Sequence, residues 1–211
     1  KINVMDAPGN FDFSGEALSA IRAAECAVLV GAAKDGLSVG MERSWKMLGK
    51  KPRMIFINRT DEDNSDYNAT FEALRARFGN KIAPLVVPIW DEGKKVTGII
   101  DVLNKRAYEM QNGKRVEIEI PEGKDEVIAE FNDALKESVA ETSEEFMDKF
   151  FSGEDFTYVE MIQGLRQGVR ELSLFPVLCG SAVNCMGSLM LMDNIVDLLP
   201  NPMEGNYHKA T

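Results

Sequence analysis

Four short, nearly continuous apolar runs set the strongest constraint on this chain: residues 2–5, 27–32, 53–58 and 175–179. A strand with one wet face alternates, whereas a run this uniformly apolar suits a strand covered on both faces of a parallel sheet. Helical patterns separate the runs. Ala17, Leu18, Ile21 and Ala24 share a face, Phe71, Leu74 and Phe78 form a stripe ending at Gly79, and Leu189, Met192, Ile195, Val196 and Leu199 form another, stopped by Pro200. Strand and helix in alternation predict a doubly wound α/β sheet.

The rhythm breaks between residues 82 and 172. An extended stretch at 98–102 precedes a hairpin signal at Asn112-Gly113, flanked by Tyr108 and by Val116-Glu117-Ile118. Ile128, Phe131, Leu135, Val139, Thr142, Phe146 and Phe150 then recur at helical steps, with Thr142-Ser143 offering a restart before Gly153. Thr157 with Glu160 is a capping box for one more helix, its buried face carrying Val159, Ile162, Leu165 and Val169. The expected division is therefore 1–81 and 173–202 for one α/β domain, 82–172 for an inserted α+β subdomain, and 203–211 for a linker or tail.

Composition narrows the function classes. The formal charge of −10 arises within residues 114–160, which hold fifteen acidic and five basic side chains while the remainder balances at nineteen of each. Such a segment is repelled by phosphate backbones, so it is expected to be a solvated face rather than a nucleic-acid surface. No apolar stretch approaches the roughly 20 residues of a membrane helix, and a cytosolic location is expected. Cys26, Cys179 and Cys185 lack metal-ligand spacing and are expected to be buried, reduced thiols. His208, the sole histidine, falls in the tail, which excludes histidine-dependent catalysis within the chain.

Three of the apolar runs end in loops with suggestive chemistry. In open parallel sheets, residues just past the carboxyl end of a strand face the ligand. Asp6-Ala7-Pro8-Gly9 follows the first run: Asp6 could hold a magnesium ion through water, and Gly9 could bring its backbone N–H to a terminal phosphate. Asn58-Arg59-Thr60-Asp61 follows the third run. The Asp61 carboxylate can accept two parallel hydrogen bonds from the ring N–H and exocyclic amine of guanine, a pair adenine lacks. Asn58 can bond the base and neighbouring loops, and the stem of Arg59 can cover a base face. Gly180-Ser181-Ala182 follows the last run, and the N–H groups of Ser181 and Ala182 could reach the guanine carbonyl. Alone, the first is a weak signal against a plain turn after a strand, the second reads equally well as an Asx turn, and the third reads better as a Gly-Ser turn; their order and shared strand context favour a guanine-nucleotide pocket.

With these residues in place, the chain resembles elongation factor G and its paralogues among the translational GTPases over nearly its whole length. Asp6-Ala7-Pro8-Gly9-Asn10-Phe11-Asp12-Phe13 resembles the third guanine-nucleotide motif with its switch segment, Asn58-Arg59-Thr60-Asp61 the fourth and Cys179-Gly180-Ser181-Ala182 the fifth. Gly98-Ile99-Ile100-Asp101 and Glu144-Glu145-Phe146-Met147-Asp148-Lys149 are similar to the family's inserted subdomain, and Pro200-Asn201-Pro202 to the exit from its nucleotide domain. The resemblance implies an incomplete P-loop GTPase-type doubly wound, mainly parallel α/β sheet with an inserted α+β subdomain. It further implies GTP or GDP and Mg2+ as ligands of the intact parent, with the ribosome, including its stalk protein and large-subunit RNA, as partner.

The chain departs from the family pattern at three points. Asn10 stands where the family usually carries the histidine that orients attacking water, so it is the candidate for that catalytic position. Arg59 replaces the usual lysine and keeps an aliphatic stem. No Gly-x-x-x-x-Gly-Lys-Ser/Thr phosphate loop occurs, since the Gly-Lys pairs at 49–50, 93–94, 113–114 and 123–124 are each followed by another residue type. The resemblance places a further strand between those at 2–5 and 27–32. The chain is accordingly expected to be a piece of a longer polypeptide, inactive alone, with a gap in its sheet that favours self-association.

Overall fold

A computed structural model describes residues 1–91 and 96–204. His208 and the rest of the 205–211 tail lie outside the described residues. In chain order the elements are α1 (Ser14–Ala23), β1 (Ala27–Ala32), α2 (Val39–Leu48), β2 (Arg53–Asn58), α3 (Tyr67–Phe78), β3 (Ile82–Pro84) and β4 (Val86–Trp90). They continue with β5 (Val96–Asp101), β6 (Arg106–Gln111), β7 (Lys114–Ile118), α4 (Asp125–Ala140), α5 (Glu144–Phe151), α6 (Tyr158–Glu171), β8 (Phe175–Cys179) and α7 (Ser188–Leu198).

The first sheet is wholly parallel in the order β1-β2-β8-β3. β2 and β8 are its centre. All five residues of β8 are buried, as are residues 53–57 of β2, which is why both read as unbroken apolar runs. One polar residue joins that buried set: Arg53 donates to the carbonyls of Lys51, Trp45 and Gly49, and its guanidinium lies 4.5 Å from the Trp45 ring centroid. A guanidinium can be buried here because its donors meet carbonyls and its face meets an aromatic ring.

The second sheet is antiparallel, β4-β5-β6-β7. Asn112 and Gly113 have φ of 51° and 75°, the left-handed pair a tight two-residue hairpin between β6 and β7 requires. β3, at the head of the 82–172 stretch, lies in the parallel sheet; the antiparallel sheet begins at β4. The two sheets are stitched where Leu85 N–H donates to Val177 O and Val102 N–H donates to Leu85 O. Two of the helix starts expected in the insertion are capped locally. Ser143 caps α5 after the break at 142–143, and the Thr157–Glu160 box opens α6 with both of its reciprocal bonds.

Five expectations are corrected. Val159, expected on the buried face of α6, is 62% exposed, and Met161, Leu165 and Val169 carry that face. Residues 2–5 form no strand: the first nine residues carry no regular structure, and Val4 is 78% exposed. A strand exists only through a neighbour's backbone, and β1 is paired on one side alone, with Val30 of that edge strand 56% exposed. α1 forms but buries none of its residues; α1 and the turn before it border α2, with the Arg43 guanidinium 4.2 Å from the Phe11 ring centroid. The buried stripe of α7 is carried by Met190 and Leu198, continued by Leu199, whereas Leu189, Met192 and Val196 are exposed. Most residues of that helix are apolar, so periodicity could not choose its phase. Cys185 is exposed rather than buried; Cys179 is buried and Cys26 half-buried, and burial raises both of those thiols above their usual range.

Candidate nucleotide site

Adjacent parallel strands end at the same rim, and β2 pairs with β8 through Ile57 opposite Cys179. The loops that leave those two strands therefore begin side by side. Gly180 N–H donates to Ile57 O at 3.0 Å, and Thr60 N–H returns a bond to Gly180 O at 3.2 Å. Above this backbone stitch, Asn58 Oδ1 accepts from the Ala182 N–H at 2.9 Å, and Asp61 Oδ2 accepts from Asn184 Nδ2 at 2.9 Å. Two rungs thus tie loop 58–61 to loop 181–184.

The supports are buried and the polar groups at the rim are not. Ser181 is fully buried and Thr60 only 1% exposed. Ser181 N–H donates to Met186 O at 3.0 Å, its Oγ accepts from Asn184 N–H at 3.4 Å, and Thr60 O accepts from Ser65 Oγ at 2.8 Å. Asp61 and Asn58 are half-buried, and Ala182 and Asn184 are exposed at the rim. Arg59 has φ of 59°, a left-handed residue that carries its side chain outward into an exposed pairing with Glu62 at 3.5 Å.

The structure brings Asn58, Asp61, Ser181 and Ala182 together on one rim and leaves Arg59 beside them. The N–H groups of Ser181 and Ala182, assigned from sequence to a guanine carbonyl, each have an acceptor inside the protein: Met186 O and Asn58 Oδ1. Asp6, Gly9 and Asn10 are exposed in the irregular leading segment, where Asn10 O accepts from Phe13 N–H. Among the described residues no hydrogen bond or ion pair joins those three to the rim. Residues 2–5, expected to carry them to the rim as a strand, pair with none of the described strands.

Asn184 escaped the sequence reading, which stopped at Ala182. A polar residue continuing the same strand-end loop was the available signal. A groove of about 320 Å3 lined by Asp101, Tyr158, Asp193 and Asp197 lies elsewhere, between the antiparallel sheet and helices α6 and α7, and no rim-loop residue enters it.

The acceptor present, a half-buried carboxylate held by the Asn184 amide, can take paired N–H groups of the kind a purine edge offers. The phosphate end is thinner. Asp6 supplies one carboxylate, and no group of three His, Cys, Asp or Glu side chains that could hold a metal occurs among the described residues. A lone carboxylate would suit magnesium only as a cation that takes most of its ligands from phosphate oxygens and water. No helix among the described residues is long and apolar enough to cross a membrane.

Residues 1–201 match the family described as the elongation factor Tu GTP-binding domain. An elongation factor G-like protein of Thermotoga maritima is 32% identical over 212 residues, covering all of this chain and 30% of that protein. A crystal structure of a Thermus thermophilus protein superposes with a TM-score of 0.88 at 35% identity, over 94% of this chain and 30% of the other. The chain thus spans about a third of the length of these relatives. It belongs to the elongation factor Tu GTP-binding domain family and is similar to an elongation factor G-like protein.

Proposed function

We propose that this chain is the base-reading part of a ribosome-associated factor that binds and hydrolyses GTP during translation elongation, at translocation, in the cytoplasm. The observation that carries the reading is the pair of rungs, Asn58 to Ala182 and Asp61 to Asn184, that assembles one purine-facing rim from two loops. Asp61 accepts the ring N–H and the exocyclic amine of guanine. Asn58 and Ala182 border the base carbonyl, Ser181 anchors the loop from below, and the Arg59 stem covers a base face. In the parent, Asp6 would hold magnesium, Gly9 would present an N–H to the terminal phosphate, and Asn10 would orient the attacking water. Bound magnesium would neutralise charge developing on the phosphate oxygens.

The test is a substitution in a polypeptide that carries these residues together with a phosphate loop. Asp61→Asn is expected to weaken GDP binding by about tenfold or more, since it breaks a charge-assisted bidentate pair, while leaving ADP binding unchanged. Equal affinity of the parent for adenine and guanine nucleotides would end this reading.

One residue favours a second reading. Asn10 in place of a histidine suits a factor that hydrolyses slowly and acts as a nucleotide-gated ribosome binder, or a ribosomal protection factor of the same domain plan. The acidic 114–160 segment would then dock a basic surface of the ribosome, the stalk protein or a neighbouring protein rather than RNA. Self-association through the open edge of β1 follows from the same geometry when nothing else covers it.

A further inference from the structure

We infer that Asn184 is a specificity-determining positioning residue: its side-chain amide holds the Asp61 carboxylate in the plane from which guanine is told apart from purines lacking the exocyclic amine. The inference rests on the base-reading role proposed for Asp61. Asn184 Nδ2 donates to Asp61 Oδ2 at 2.9 Å across 123 positions of sequence. A carboxylate on a short stem turns almost freely about its last torsion. Guanine asks for both oxygens at once, side by side, so any rotation that satisfies the ring N–H but not the amine discards the discrimination.

One bond from Asn184 removes that freedom without using up the acceptor. Each carboxylate oxygen has two lone-pair directions, so Oδ2 can hold the amide on one side and a ligand N–H on the other, while Oδ1 stays open. Asn184 is itself held. Its backbone N–H donates to Oγ of the fully buried Ser181 at 3.4 Å, Cys185 N–H donates to Ala182 O at 3.4 Å, and the loop is tied across by Ala182 and Asn58. None of those bonds uses the Asn184 side chain. Exchanging that side chain therefore leaves the loop's own fastenings in place.

The experiment measures GDP, IDP and ADP affinities of the same phosphate-loop-bearing polypeptide with Asn184 intact, with Asn184→Leu, which keeps the bulk and loses the donor, and with Asn184→Gln, which keeps the amide on a longer stem. IDP carries the guanine ring N–H and carbonyl but no amine. Asn184→Leu should lower GDP affinity about 5- to 20-fold and IDP affinity at most about threefold, so that the GDP to IDP ratio narrows, with ADP unchanged and the amide resonance of Ala182 unmoved. Asn184→Gln should recover part of the ratio. A merely structural residue would lower GDP and IDP alike, and that result overturns the inference. So would no change, or tighter GDP binding, which would mean that the amide competes with the base. If Asp61→Asn abolishes guanine preference while Asn184→Leu is silent, this inference alone falls; if Asp61→Asn is silent too, the base-reading role falls with it.

Discussion

Gly180→Ala perturbs the rim without touching any group that would meet a ligand. Gly180 follows β8 directly, and a methyl group there would lie 2.0 Å from Met186 O, 2.9 Å from Met186 C and 3.1 Å from Phe56 Cζ. Ordinary contact begins near 3.4 Å, so the Met186 peptide must retreat by about 1.4 Å. It has nowhere to go cheaply. Gly187, the next residue, is left-handed at φ 79° and its α-carbon is pressed so close to β8 that a methyl group on it would sit 2.3 Å from Cys179 O. Met186 and Gly187 are both buried.

The retreat also stretches the Ser181 N–H to Met186 O bond, now 3.0 Å, beyond hydrogen-bonding range. Overpacking costs about 1–3 kcal/mol and the lost backbone bond about 0.5–1.5 kcal/mol, together about 1.5–4.5 kcal/mol. Urea denaturation of the 211-residue chain reads this as a lower midpoint at constant slope. Backbone amide spectra should localise it, with Ser181, Ala182 and Thr60 shifted and the antiparallel sheet unmoved. A variant within about 0.5 kcal/mol of the parent, with the Ala182 resonance in place, would refute the claim that the rim loop is wedged between β8 and Gly187.

Two further outcomes are expected. Glu160 accepts from Lys149 Nζ and from both the N–H and the hydroxyl of Thr157, and these bonds hold its carboxyl at about 2, down from 4.5. A folded value below the unfolded one stabilises the fold fully above about pH 4.5 and is lost as pH falls toward 2, so Glu160→Gln should flatten the acid limb of the stability profile; parallel profiles for variant and parent would contradict this. Asn10→His in the phosphate-loop-bearing polypeptide should raise ribosome-stimulated GTP hydrolysis by about tenfold or more, and an unchanged turnover would remove Asn10 from the water-orienting position.

Features whose cause is local were legible in the chain. The Thr157–Glu160 box and the Asn112-Gly113 hairpin depend on residues within a turn of each other. β2 and β8 were visible because a strand covered on both faces has no polar phase to hide in, and the polar residues that follow each run marked the loops now tied by Asn58 and Ala182. Residues 2–5 show the limit. Their apolar content meets the composition of a strand, but pairing is a property of two backbones, and residues 2–5 pair with none of the described strands.

The phase of α7 and the partner of Asp61 were likewise settled only in three dimensions. A helix with apolar residues on most sides takes its buried face from what it lies against, which turned Met190 inward and Val196 outward. Asn184 reaches Asp61 because two parallel strands stand side by side and end level, which closes a separation of 123 residues to 2.9 Å. Sequence alone determined which residue types stand at each strand end; tertiary structure decided which of those ends are neighbours, because the contact between them is made by the sheet and not by the chain that links them.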